Sequence, residues 1–250
     1  MIILTIRRST MNILAIGAHP DDVETCCGGT LAKYVKQGHK VFTATPTNGN
    51  IGSATLPMDE IARIRKEEAR RAAAHIGAEY VCLDYDDEMF YEDRNARLAF
   101  IDLVRYCQAD IILTHNPKDY NPDHMLTSKI VTDIPVMIPI AKLQTRNKPV
   151  DKIPLVVYWE ALQGFGFEPT EYVDITEEFE TKIAMCYEYK SQIQWMQDNY
   201  KEQVGDKGKD FIDDTRVTNM FRGMQCGVQY AEAFRMAYDA YRVVPYRVLP

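Results

Sequence analysis

The stretch ILAIGAHPDDVE, residues 13–24, sets one histidine and three carboxylates directly behind an apolar run. Far downstream, NPDH closes a second polar stretch with Asn121, Asp123 and His124. Two imidazoles and a carboxylate suit a zinc ion, with a fourth position left to water. Such an ion lowers the pKa of its water and polarises a carbonyl oxygen. A further carboxylate that stays off the metal can take the water's proton. His19, Asp21 and Asp22, joined by His124, would supply that whole set. Each of these residues also has an ordinary structural use. Asp21 and Asp22 can cap a helix and offset its dipole. Asn121 before Pro122 reads as a helix cap followed by the first helical residue.

The elements that would have to bring these loops together are legible as apolar runs. Strands are expected over 12–17, 39–45, 79–83, 110–114 and 154–158, with a short sixth over 172–175. Helices are expected from Gly28 and Gly29 to about Gln37, and from Asp59 to about His75 with Gly77 as its cap. Two more are expected over 94–107 and from about His124 to Met137. Strands and helices alternate, and the early strands lack a polar side. That pattern predicts an α/β fold: a Rossmann-like, doubly wound, mainly parallel sheet with helices on both faces. Apolar periodicity from Phe179 to Trp195 and from Met220 to Tyr241 reads as a helical C-terminal extension. Residues 1–250 are expected to form one domain, with 1–10 as an N-terminal extension. In the common strand order 3-2-1-4-5, the winding reverses between strands one and four. Ligands bind beyond the carboxyl ends of strands at such a switch point. The loops leaving those strands are AHPDDVE and HNPKDYNPDH. Topology would therefore bring His19, Asp21 and Asp22 to Asn121, Asp123 and His124.

Bulk properties exclude several classes. The formal net charge is −7, which argues against nucleic-acid binding through phosphates. Arg63, Arg65, Lys66, Arg70 and Arg71 cluster on one expected helix, but Glu67 and Glu68 sit among them and mark a solvated face. The six cysteines form no C-x-x-C pair and read as thiols in a reducing, cytoplasmic compartment. Adjacent Cys26 and Cys27 would point about 100° apart on a helix, which disfavours a shared metal. No apolar run is long enough for a membrane span. The turn after strand one lacks the early glycines of a dinucleotide site, and its two aspartates would repel a pyrophosphate.

AHPDDVE, GGTLA at 28–32, RKEEARRAAAHIGAEYVCL at 65–83, NPDH at 121–124 and KSQ at 190–192 together resemble the LmbE-like, or PIG-L, family of zinc-dependent N-deacetylases. The resemblance implies zinc, or another divalent metal, held by His19, Asp22 and His124. It implies that Asp21 is the general base and that Arg65 faces the active site. Asp123 becomes a candidate for orienting a ligand. Many members of the family carry histidine where this chain has Asn121. Asparagine can donate to an oxyanion but cannot act as an acid near neutral pH. One expectation is that Asp21 returns the proton it takes from water. Others are a slower enzyme, or a protein that keeps only the metal.

The implied reaction removes an N-acetyl group from an N-acetylglucosamine-type sugar or glycoconjugate. The alternatives are an amidase acting on a thiol or glycoside conjugate, and a non-catalytic metal- or carbohydrate-binding member of the fold. Trimers and hexamers are frequent in the family, which implies a homo-oligomer. Segments 46–58, 84–93, 115–121 and 160–169 are the candidate pocket walls, with Phe165, Phe167 and Tyr91 as aromatics for a sugar and Glu160 nearby.

Overall fold

The computed structural model describes residues 10–161, 164, 166–199, 211–237 and 249–250. The sheet is built around β1 (Asn12–Ile16). Ile13 and Ala15 join the apolar cluster on one face of the sheet, and Leu14 and Ile16 join the cluster on the other. Successive side chains of a strand point to opposite faces, so a strand buried on both sides must be apolar throughout. The other parallel strands are β2 (Lys40–Thr47), β3 (Glu79–Tyr85), β4 (Ile111–His115) and β5 (Leu155–Trp159). With β6 (Glu171–Asp174) and β7 (Ala231–Met236), the order is β3-β2-β1-β4-β5-β7-β6. The fold is the expected doubly wound α/β arrangement.

One face of the sheet carries α1 (Asp22–Lys36) and α5 (Phe179–Cys186), with Ala69 and Ala72 of α2 (Met58–Ala74). The other carries α3 (Arg94–Cys107) and α4 (Pro122–Asp133). Asp93 caps α3 by accepting from Ala96 N–H at 2.7 Å. Helix α4 ends just before Pro135, which has no N–H to continue the ladder, and a single 3₁₀ turn follows over Pro135–Met137. Two further helices are α6 (Lys190–Asn199) and α7 (Phe211–Cys226).

Helix α1 starts six residues before the expected glycine pair. Gly28 and Gly29 lie in its middle, where a Cβ on Gly29 would come within 2.8 Å of Ile175 Cβ. They are there for close packing against the chain after β6. The C-terminal region also departs from the helical expectation. Met220–Tyr241 does not form one helix: α7 stops at Cys226, and β7 inserts antiparallel between β5 and β6. Ala231, Ala233 and Phe234 are buried there, while Glu232 is buried as an ion partner. The expected N-terminal extension lies almost wholly outside the described residues.

Pairing of Ile16 with both Ala44 and Thr114 makes β1 the switch strand. Everything after Ile16 and Thr114 emerges at one end of the sheet, and there the polar loops meet.

Candidate metal centre

Beyond β1 the chain turns back tightly onto the start of α1. A Cβ on Gly17 would lie 2.6 Å from Asp22 Cβ, so only glycine permits the turn. His19 N–H donates to Asp22 Oδ2 at 2.7 Å, and Asp22 N–H returns a 3.3 Å bond to His19 O. Thr47 holds the preceding Ala18 carbonyl through its N–H and its hydroxyl. The turn sets His19 Nδ1 3.6 Å from Asp22 Oδ2. From the first turn of α4, His124 Nε2 reaches 3.4 Å from Asp22 Oδ1. Ligand atoms of His19, Asp22 and His124 lie within 4.8 Å of one another. Tetrahedral ligands about 2.0–2.1 Å from a shared zinc stand roughly 3.3–3.4 Å apart, which the 3.4 Å between His124 Nε2 and Asp22 Oδ1 matches.

The outer nitrogens of both rings are occupied. His19 Nε2 is 3.2 Å from Asp123 Oδ2, and His124 Nδ1 is 3.0 Å from Asp119 Oδ1. Carboxylates in these places fix the tautomer and leave His19 Nδ1 and His124 Nε2 as the lone pairs that face Asp22. The donor set therefore fits a borderline-soft divalent cation such as zinc.

Electrostatics around the cluster follow from crowding and burial. Burial pulls the His19 imidazole down, but bonds to Asp123 and Asp22 more than reverse it, to about 10. Burial likewise lowers His124, and the Asp22 charge with the Asp119 bond lifts it to about 9. Burial would raise Asp22, yet His124 and His115 hold it well below the usual carboxylate range. In the metal-free protein both candidate ligand histidines are thus protonated near neutral pH.

Asp21 sits beside the cluster and points elsewhere. Its Oδ2 accepts from Arg65 Nη2 at 2.9 Å. Arg65 also donates to Pro20 O, and its stem runs against Gly49 and Gly52, where any Cβ would overlap it. Of the basic cluster on α2, Arg65 is the residue that turns inward, at 4% exposed. Burial lifts the Asp21 carboxyl to about 7 even though Arg65 opposes the rise. Asp21 is also held at φ 116, a conformation that non-glycine residues avoid.

Asn121 is tied into the fold through its oxygen and one amide hydrogen. Its Oδ1 accepts from Asp123 N–H at 2.7 Å and from His124 N–H at 3.2 Å, which caps α4. Its Nδ2 donates to Glu88 Oε1 at 2.8 Å. Asp123 accepts from Glu88 N–H at 2.7 Å as well as pairing with His19.

A cavity of about 250 Å³ opens beside the cluster. Asp21, Asp22, Asp119 and Glu160 line it, and among the described residues no lysine or arginine does. Tyr120 and Trp195 supply its aromatic surface, and α6 adds Gln192 and Met196. Two of the expected aromatics, Phe167 and Tyr91, are not there. Phe167 is buried at a separate groove with Tyr158, Tyr91 is 70% exposed, and Phe165 lies outside the described residues. Phe90, next to Tyr91, takes the buried place in the core and leaves Tyr91 outside, and Phe167 is taken up by packing. Sequence reasoning placed His115 and Asp119 only within the expected wall segment 115–121 and Gln192 only within KSQ, gave none of them a role, and did not single out Trp195. His115 had a readable signal, since it ends a buried strand just as His19 follows one. The others had none. Cys26 lines the cavity and belongs to none of the metal-type clusters among the described residues.

The family model described as GlcNAc-PI de-N-acetylase (PIG-L) matches residues 14–134. The diacetylchitobiose deacetylase of Thermococcus kodakarensis is 25% identical over 233 residues, covering 89% of this chain and 82% of that protein. The 4-oxalmesaconate hydratase of Pseudomonas putida is 28% identical over 184 residues, covering 68% of this chain and 70% of that one. The solved N,N'-diacetylchitobiose deacetylase of Pyrococcus horikoshii superposes with a TM-score of 0.76 at 25% identity, covering 90% of this chain and 82% of that one. The matched span holds both loops of the cluster, so the part of the chain that carries the site is the part that matches the PIG-L, or LmbE-like, family model.

Proposed function

We propose that the protein is a zinc-dependent N-deacetylase that hydrolyses the acetamide of an N-acetylglucosamine-type sugar. The observation that carries this reading is the convergence of His19, Asp22 and His124 beside Asp21, an acid that lies outside the ligand cluster and pairs with Arg65. The deacetylases among the relatives support the hydrolase class. His19 Nδ1, Asp22 and His124 Nε2 would hold the ion. When bound, it polarises the amide carbonyl and lowers the pKa of a water.

Asp21 takes the proton from the attacking water. With a carboxyl near 7 it can hold that proton and then pass it to the departing amine. This double duty supplies the acid that Asn121 cannot be. Asn121 itself orders the α4 end and Glu88, so its part is to position His124 through the cap. Arg65 keeps Asp21 in place. The products are acetate and a free amino sugar, whose cationic amine suits a cavity lined by carboxylates.

A hydratase among the relatives raises a second reading, addition of water without amide cleavage. The cavity disfavours it, because an anionic substrate would face Asp119 and Glu160, and no lysine or arginine is among the described residues that line it. The six free cysteines fit a cytoplasmic setting. No described helix is long and apolar enough to cross a membrane.

The test is acetate release from a panel of N-acetylated mono- and disaccharides by zinc-loaded protein, with Asp21→Ala as control. Release that the control lacks supports the reading. Zinc-loaded protein that frees no acetate, yet hydrates an unsaturated acid, overturns it.

Two expectations concern the metal directly. Asp119→Asn and Asp123→Asn should each weaken zinc binding by about 10–100-fold, because each removes a carboxylate that orients a ligand imidazole. Competition with a chromogenic chelator measures this, and unchanged affinity in both would count against the assigned ligand atoms. Binding must also expel the protons on His19 and His124. At pH 7 zinc should therefore release about two protons, and its affinity should fall as pH is lowered. Calorimetry in two buffers of different ionisation enthalpy reads the number; a value near zero would contradict the protonated metal-free cluster.

A further inference from the structure

We infer that Glu68 is a positioning residue: it clamps the first turn of α6 and so sets the cavity wall formed by Gln192, Trp195 and Met196. The consequence for substrate binding rests on the deacetylase reading above; the clamp itself does not. Glu68 projects from α2 and is 2% exposed. Ser191 N–H donates to its Oε1 at 2.8 Å, and Ser191 Oγ–H donates to its Oε2 at 2.6 Å. Two donors of one residue thus occupy both carboxylate oxygens, which fixes the orientation of the pair.

The first N–H groups of a helix have no partner within it, and its N-terminal end favours a negative charge. Most helices answer both needs with a side chain of their own. Here α6 takes its anion from α2, so the two helices are coupled. Neighbouring residues are held the same way. Tyr189, 1% exposed, donates to Glu24 Oε2 of α1 at 2.8 Å. Glu188 accepts from Arg71 Nε at 3.0 Å, and its other oxygen lies 2.9 Å from His75 Nε2. The KSQ motif therefore begins α6 at a point gripped from two sides.

Past Ser191, Ile193 and Met196 rest against the core, a contact without directional preference. Every residue of α6 keeps some exposure. Gln192, Trp195 and Met196 share one helix face by their spacing, and all three line the cavity. Gln192 Oε1 is shut away from solvent and has no hydrogen-bond partner. No bond of its own fixes that oxygen, so its place in the cavity is inherited from the helix start. Arg65 and Glu68 lie one turn apart on α2. Arg65 holds Asp21 and Glu68 holds α6, so one helix places both the acid and a wall of the same cavity.

Tryptophan quenching reads the wall directly. The chain has two tryptophans. Trp159 is fully buried, so acrylamide reports on Trp195. The quenching constant should rise toward that of an exposed indole in Glu68→Ala. It should stay near the wild-type value in Glu68→Gln, whose amide can accept from Ser191 N–H and donate to the Ser191 hydroxyl oxygen. No rise in Glu68→Ala, or an equal rise in Glu68→Gln, would overturn the clamp. This measurement needs neither metal nor substrate, so it stands or falls apart from the deacetylase reading.

Kinetics then separate positioning from chemistry. On an N-acetylated sugar that the wild type hydrolyses, Glu68→Ala should raise KM by about 10-fold and leave kcat within about 3-fold. Glu68→Gln should keep both. A loss confined to kcat, or a matching loss of zinc affinity by chelator competition, would show that Glu68 acts on the metal turn and would overturn the assignment. Should Glu68→Ala not fold, Ser191→Ala carries both measurements. It removes the Oγ bond alone and should move quenching and KM in the same direction by less; no change in either would overturn the inference.

Discussion

Asp21→Asn is expected to keep zinc bound and to lose acetate release by about 10²–10⁴-fold. Asparagine has the same shape, tolerates a positive φ and can still meet Arg65 through its carbonyl oxygen. The turn that holds His19 and Asp22 therefore survives, and only the proton carrier is lost. Zinc content and acetate release measured on the same sample separate the two effects. Wild-type turnover with zinc present would remove Asp21 from the mechanism. The backbone at φ 116 adds a second readout. Asp21→Gly and Asp21→Ala both delete the carboxylate, but only glycine relaxes that conformation. The Gly variant should be the more stable of the two by about 1 kcal/mol, read from denaturant midpoints. If Ala is the more stable, the turn is not strained. A strained residue at the centre of the chemistry means that the surrounding contacts hold Asp21 in place at the expense of local stability.

The largest expected loss of stability lies away from the cluster, at Glu232 on β7. Its side chain is fully buried and pairs with the equally buried Lys182 of α5 at 2.7 Å. It also accepts from Gly29 N–H at 3.0 Å and Thr30 N–H at 2.8 Å in the middle of α1. Burial pulls the Lys182 ammonium down and the Glu232 charge more than offsets it. Removing one partner leaves a buried charge alone, so Glu232→Ala should cost about 3–5 kcal/mol. Lys182→Met should fall in the same range. The pair Lys182→Met with Glu232→Ala should lose less than the sum of the two singles by about 1 kcal/mol or more, because no isolated charge remains. Denaturant unfolding of the four proteins gives the comparison, and additive losses would show that the pair does not act as a unit. The network ties β7 to the helix whose first residue is Asp22, so damage here should also loosen the metal turn.

Much of the framework was legible in the chain itself. Strands β1, β2, β4 and β5 are apolar runs bounded by turn residues, and burial on both faces allows little else. Their order follows from alternation with helices and right-handed crossovers. That order alone predicts that the loop with His19 and Asp22 meets the loop with His124. Strand β7 was not legible, because AEAFRM carries no clean alternation and is a strand only between β5 and β6. Gly28 and Gly29 were misread as a helix start, since nothing local announces Ile175 against α1.

The candidate site divides along the same line. Residue types and spacing determined which groups could meet at the switch point, because a motif such as HPDD keeps its members within one turn. Only tertiary structure decided how those groups are used. Asn121 is spent on a cap and on Glu88, Arg65 is turned onto Asp21, and Asp119 and Asp123 each claim one imidazole nitrogen. Trp159 Nε1–H meets His115 Nδ1 at 3.2 Å from 44 residues further along the chain. A hydrogen bond depends on a few tenths of an ångström and on which donor has no other acceptor. Those quantities exist only once distant segments are packed together.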